Sequence, residues 1–540
     1  MKKEKIKVKN KVGNKGGTDK KMSKKLIRLT AFLLAAALTG GVLAGCGGDR
    51  KKGGTASFKM IIPDWNSIYD GINAENNMVY DAIQEKYKAD TGDDFAGKFV
   101  WYPGVSYATQ VNMTVGNASS DVDAFSMYGT AFMDYVTQPG LLMDIGALID
   151  EHGKHLKAKI PARNWDTVTY KGKIYGIPDV IPYANDTAFI RMDVLKAAGI
   201  TKVPETLAEL EAAFEVFKGQ GMIAWRAPSW QTQKWLLGSF GIPYYDYLDG
   251  SGNFHVMQEH PNFEAYVGTL QRWRVNGWMP PDFDNVTWQQ NWLDFISGKQ
   301  GIAIGWYSTM ERNLPLLREV VPAAEVAHLN AIKVSGTAGG YAPDRIVSNM
   351  VHIFANSKNA AAVIQYLDWM MSDRENMLLT WRGLQGTHYD YSKAANTVTP
   401  KEKYLDPAVK GYTGAYSLCM DYVVFGAADY PDYIFTKQTY KDAFAITKAA
   451  RAELDGLDML LSASQEYNVQ VDIPEVGTQA ANLSIDLNYI VADYIMNKSS
   501  TSGFNTAIAD KAALCKTKSI PQVGNKNYYE WMQAQVDAKR

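Results

Sequence analysis

Phe58-Lys-Met-Ile-Ile62 is a short apolar run that stops at Pro63-Asp64-Trp65-Asn66, the signature of a buried strand feeding a turn. From Asn77 to Tyr87, the residues Met78, Val79, Ala82, Ile83 and Tyr87 recur at helical spacing, and Thr91-Gly92 closes the segment. Lys98-Phe-Val-Trp101 reads as a second strand, broken by Pro103-Gly104. Asp123-Ala-Phe-Ser-Met127 reads as a third, followed by Tyr128-Gly129-Thr130 and a helix reaching Gly140. Strand, helix and strand at this spacing predict an α/β fold built on a mostly parallel sheet with helices on its faces. Ligands of such sheets gather at the carboxyl ends of the strands. Those ends carry Asp64, Trp65, Trp101, Tyr102, Met127 and Tyr128.

A second unit of the same kind lies downstream. Thr206-Leu-Ala-Glu209 is a capping box that opens a helix with Leu207, Leu210, Phe214 and Phe217 on one face. Phe263, Tyr266, Leu270 and Trp273 line one face of a helix from Asn262 to Asn276, which ends before Gly277 and Pro280-Pro281. Gly301-Ile-Ala-Ile-Gly305 is a buried strand leading into Trp306-Tyr307. With 540 residues and 12% aromatic side chains, the chain has enough material for more than one core.

The formal net charge of −1 averages two unlike parts. Residues 1–45 carry twelve Lys and Arg against Glu4 and Asp19, so removing their +10 leaves −11 on residues 46–540. Lys24, Lys25 and Arg28 precede the apolar run Leu29–Leu38, which is short for a bilayer core of roughly 30 Å and reads as an export signal. Residues 46–57 read as a flexible tether.

The order of motifs across roughly residues 58–400 resembles a known family. Leu43-Ala44-Gly45-Cys46 resembles a bacterial lipobox, which implies cleavage before Cys46 and a diacylglyceryl group with palmitate-like chains on its thiol. Gly172-Lys-Ile-Tyr-Gly-Ile-Pro178, Ile190-Arg-Met-Asp-Val-Leu-Lys-Ala-Ala-Gly199 and Val203-Pro-Glu-Thr-Leu207 are similar to segments of the extracellular solute-binding lipoproteins of bacterial carbohydrate ABC importers. So are Phe295–Ile304, Ser357–Trp369 and Trp381-Arg-Gly-Leu-Gln-Gly-Thr-His-Tyr389.

The resemblance implies a two-lobed fold of the maltose-binding-protein type that closes on a sugar. It places lobe 1 at 58–183 plus about 345–392, and lobe 2 at about 186–335 plus about 393–540 with extra C-terminal helices. Crossovers fall near Ile181–Asp186 and Val334–Val347. Matching by order assigns ligand contacts to Asp64-Trp65-Asn66, Tyr128, Trp230, Trp306 and Tyr307. Asn185 and Trp381 suit ligand contact or hinge packing equally, and Arg191 matches the family while also suiting a structural role. The implied partners are an oligosaccharide, ABC permease subunits and the membrane through the lipid. A monomer on the extracytoplasmic face of the cell membrane is expected, with neither a cofactor nor nucleic acid.

Sugars offer C–H faces and hydroxyl rims, which Trp and Tyr cover and Asp, Asn and Arg hydrogen-bond. Trp235, Trp273, Trp278 and Trp369 fall in helical patterns and read as core. Local catalytic patterns such as GxSxG, the P-loop or GxGxxG after a strand are absent from the sequence, so no enzyme is expected. The alternative is a surface-anchored glycan-degrading or glycan-adhering protein. No metal is expected: Glu151-His152-Gly-Lys-His155 reads as a surface pair, and Asp249-Gly-Ser-Gly-Asn253 lacks the Glu of a calcium loop at His260. Cys419 and Cys515 read as separate thiols. Tandem aromatics such as Tyr244-Tyr-Asp-Tyr247 are not interleaved with basic residues, unlike a nucleic-acid groove. The charge of −11 disfavours strongly anionic ligands unless a local basic pocket overrides it, so neutral glycans are favoured.

Met22-Ser-Lys-Lys-Leu-Ile-Arg begins a signal of ordinary length, which makes Met22 the expected start. Met22→Ala should therefore abolish export in a fractionation assay, and full export would contradict this start.

Overall fold

The computed structural model describes residues 54–64, 77–103, 106–117, 121–180, 182–226, 234–283, 287–337, 339–404 and 431–540. The leader with Cys46, Trp65, Asn66, Trp230 and Cys419 lie outside them, and of Asp64 only the backbone is described.

Two sheets organise the chain. The first is built from β1 (Thr55–Asp64), β2 (Asp94–Pro103), β3 (Ala124–Tyr128), β4 (Ile177–Pro178) and a later strand that returns to it. The second holds β5 (Asp186–Arg191), β6 (Ile223–Trp225), β7 (Gln300–Trp306) and β8 (Val326–Leu329). The returning strand is β9 (Asn349–Ile353). Spatial orders are β2-β1-β3-β9-β4 and β8-β5-β7-β6.

In the first lobe β1 runs parallel to β2 and β3, as the opening stretch predicts. The strands adjoining the crossovers differ: β9 is antiparallel to β3 and β4, and β5 is antiparallel to β7 and β8. The sheets are therefore mixed. The parallel pattern holds where helices connect neighbouring strands within a lobe, and reverses where a strand arrives from the other lobe.

Alternation along the strands builds a core on each face. Phe58, Met60 and Ile62 pack with Tyr87, Phe99, Tyr366 and Trp369 beneath α1 (Met78–Thr91) and a helix over Ala360–Ser372. Ile61 faces the other way, into Tyr107, Phe125 and Phe354. Asn77 caps α1 by accepting from the backbone N–H groups of Val79 and Tyr80. In lobe 2 Ile190, Ile302 and Ile304 share one core with Phe214, Trp225 and Trp273, while Phe189 and Ala303 face Phe295 and Leu314. The Thr206 capping box forms as the sequence predicts. Trp235, Trp273, Trp278 and Trp369 are all buried, in agreement with their reading as core.

The C-terminal helices Pro474–Ile495, Thr501–Lys516 and Tyr528–Asp537 pack on the lobe 2 core through Leu487, Phe504 and Trp531. Cys515 is a buried free thiol. Among the described residues no helix is long and apolar enough to cross a membrane.

One glycine positions the end of β7. A Cβ on Gly305 would collide with the ring of Trp292, so this strand approaches its covering helix more closely than any side chain allows. Gly305→Ala is expected to destabilise the protein by about 1–3 kcal/mol through overpacking. A urea midpoint lowered at constant slope would show it, and an unchanged midpoint would refute the close approach.

Candidate functional site

The carboxyl end of β7 meets the first crossover. Trp306 pairs in register with Asp186, the first residue of β5, and the Tyr307 N–H donates to the Asn185 carbonyl at 2.8 Å. The strand end predicted to present aromatics therefore abuts the segment joining the lobes. Trp306 is half-buried, and its indole N–H has no hydrogen-bond partner among the described residues.

Three ties hold the first crossover, residues 179–186, to the return crossover ahead of β9. Asp179 accepts from the backbone N–H groups of Ser348 at 2.9 Å and Asn349 at 2.8 Å. The Tyr341 hydroxyl, fully buried, accepts from the Asp186 N–H at 3.0 Å. The Lys234 ammonium, 3% exposed, donates to Asp186 and Asp344 at 2.8 Å each.

Electrostatics follow from burial set against pairing. Burial opposes the charge on Lys234, but Asp186, Tyr341 and Asp344 outweigh it and hold the ammonium above its ordinary range. For Asp344 burial pushes the carboxyl up, yet Lys234 and Arg345 prevail and hold it low. Asp179 has no such cation in contact. Burial dominates there and lifts its carboxyl to about 7 despite the backbone donors.

The sequence-predicted site residues fall into different settings. Tyr128 ends β3 half-buried; burial raises its pKa and the nearby charge of Arg345 opposes the rise. Tyr307 is only 5% exposed, with the Arg451 guanidinium 5.1 Å over its ring. Asn185 is buried, and its amide donates to the Pro182 carbonyl at 3.2 Å, within the crossover itself. Arg191 is buried on Asp193 beside a helix start, a structural setting. Trp381 closes a helix over Arg374–Arg382 with Arg382 alongside, and no described contact joins it to Trp306. Asp64 sits at the end of β1 with its backbone paired to Pro103. Asp249 caps its own turn by accepting from the Ser251 and Asn253 N–H groups, and among the described residues no cluster could hold a metal.

Lys234, Tyr341, Asp344 and Arg345 were invisible to motif reading. Tyr244 and Tyr245 join them, both close enough to feel Asp344 and Arg345. Their only sequence signals are a glycine-rich crossover and a tyrosine run.

Two α/β lobes joined by crossing strands, with aromatics and a polar cluster at the junction, define a two-lobed solute-binding protein. A profile of the bacterial extracellular solute-binding protein family matches residues 75–377, and the chain belongs to that family. A relative from Bacillus subtilis (strain 168), the polygalacturonan/rhamnogalacturonan-binding protein YtcQ, is 26% identical over 301 residues, covering 52% of this chain and 57% of that one. The same fold is seen in the Streptococcus pneumoniae ABC-transporter substrate-binding protein FusA in complex with kestose. Its TM-score is 0.62 at 14% identity, over 89% of this chain and 99% of that one. The alginate-binding protein AlgQ2 superposes with TM-score 0.61 at 16% identity, over 91% and 99% of the two chains.

Asp179 gives a pH test of the crossover tie. Its folded pKa of about 7 lies above the unfolded value near 3.8, so the folded state holds its proton more tightly. Its contribution to stability is fully present below about pH 4 and is lost as the pH rises to about 7. Denaturant titrations should show wild type losing ground to Asp179→Asn across that window; a difference that does not vary with pH would contradict this.

Proposed function

We propose that this chain is the capture component of a carbohydrate ABC importer, anchored through lipid on Cys46. It closes its lobes on an oligosaccharide and delivers that sugar unchanged to permease subunits. The observation that carries the reading is Trp306: a half-buried indole at a strand end, in register with the first residue of β5 at the crossover. Its face suits the C–H face of a sugar ring, while the hydroxyl rim suits the polar groups beside it. In this reading Asp64, Trp65, Asn66, Tyr128 and Trp230 supply further contacts to the sugar. Asn185 and Tyr307 set the crossover against which Trp306 rests.

Closure follows from differential binding. A ligand that touches both lobes binds the closed state better than the open one and so shifts the population toward it. The family match and the ligands named for similar proteins support carbohydrate as the class. Those ligands span neutral and acidic glycans, and the test panel must hold both.

A thermal-shift screen of oligosaccharides is the direct test. A sugar at 100 times its Kd should add about 2.7 kcal/mol of stability. Trp306→Ala should lose at least about tenfold in affinity, roughly 1.4 kcal/mol, while still folding. Stabilisation by a peptide or metal but by no sugar would refute the reading, and normal sugar affinity in Trp306→Ala would remove that residue from the site.

A further inference from the structure

We propose that Arg345 is a ligand-binding residue of the interlobe site and that it selects oligosaccharides bearing a carboxylate, that is, uronate-containing glycans. The inference rests on the receptor reading above and narrows its substrate class.

Half-buried Arg345 differs from the buried arginines Arg191, Arg226 and Arg451 in what its guanidinium touches. Arg191 places Nη2 on Asp193, Arg226 places Nη1 on Asp294 and Arg451 places Nη2 on Asp455. Arg345 donates only Nε, to Asp344 at 3.1 Å, and its two Nη nitrogens have no protein partner among the described residues. Its side chain is nonetheless only 31% exposed. A half-buried guanidinium with one edge fixed by Asp344, and no described partner on the other, presents two oriented donors to a ligand.

Its place in the chain puts Arg345 in the segment that joins the lobes. Arg345 lies in the return crossover, and its charge acts on Tyr128 at the end of β3, on Asp179 in the first crossover, and on Tyr245 of lobe 2. Tyr245 is 47% exposed, so an aromatic face is available beside the cation.

The chemistry of the open edge decides the ligand class. Two parallel Nη donors match the two oxygens of a carboxylate in a fork-to-fork pair, whereas a hydroxyl takes one donor at a time. The negative charge of the whole chain does not forbid an anion here. Lys234 and Arg345 balance Asp186 and Asp344 locally. Charges elsewhere on the surface are screened over about 8 Å at physiological ionic strength. The pair would form in a partly desolvated setting, where a charge-assisted bond is worth more than on the surface.

Calorimetry on the whole exported domain can separate the possibilities. The probes are short oligomers of galacturonate, mannuronate and glucuronate, each beside its methyl ester, together with neutral fructan and glucan oligomers. The expected result is that one acid oligomer binds wild type at least tenfold more tightly than its own ester, a comparison that needs no variant. Arg345→Gln should abolish that preference, and Arg345→Lys, which keeps the charge but loses the fork, should retain only part of it. Equal binding of acid and ester, or a preference that survives in Arg345→Gln, would overturn the proposal. Tight binding of a neutral oligomer with no uronate bound would overturn it too, while leaving the receptor reading intact. Binding of no sugar at all would overturn both.

Discussion

The buried ammonium of Lys234 joins the two crossovers, and the arrangement of the site depends on it. One of its carboxylate partners, Asp186, begins β5 and so stands opposite Trp306; the other, Asp344, orients the guanidinium of Arg345. Such a pair is no guarantee of net stability, because desolvation of the ions offsets much of their attraction. Its value here is geometric. Removing one partner would leave a buried charge uncompensated, at a cost of about 3–5 kcal/mol, so the crossovers hold one register. The Tyr341 hydroxyl and the Asp179 carboxylate repeat the tie on either side of it.

Those ties fasten the segments that join the two lobes. Asp179 and Asp186, at the two ends of the first crossover, are both fastened to residues 341–349. The lobes themselves have separate cores, each with helices on both sheet faces, so either can rotate as a body without repacking its interior.

Much of this fold was legible in the sequence because its signals are local. Phe58, Met60 and Ile62 alternate with Ile61 in strand fashion, Asn77 and Thr206 are caps by residue type, and Trp235, Trp273 and Trp369 lie in helices as their spacing predicts. The antiparallel direction of β5 was not, since it depends on which lobe the chain has just left. The strand-end position of Trp306 was legible because a glycine-bounded strand runs directly into it. Lys234 was not, because a lone lysine in Gln231-Thr-Gln-Lys234 looks like solvent-facing polarity until Asp186, 48 residues away, is folded against it. Arg345 was hidden in the same way: the glycine-rich segment marked the crossover but said nothing of the cation within it.

The central claim is that ligand is held between lobes that close on it. Small-angle X-ray scattering of the protein, with and without a saturating oligosaccharide identified by the stability screen, measures that closure. A smaller radius of gyration is expected with the sugar bound, together with recovery of that sugar unchanged. A sugar that binds without any change in the scattering curve, or that is recovered as shorter products, would contradict it.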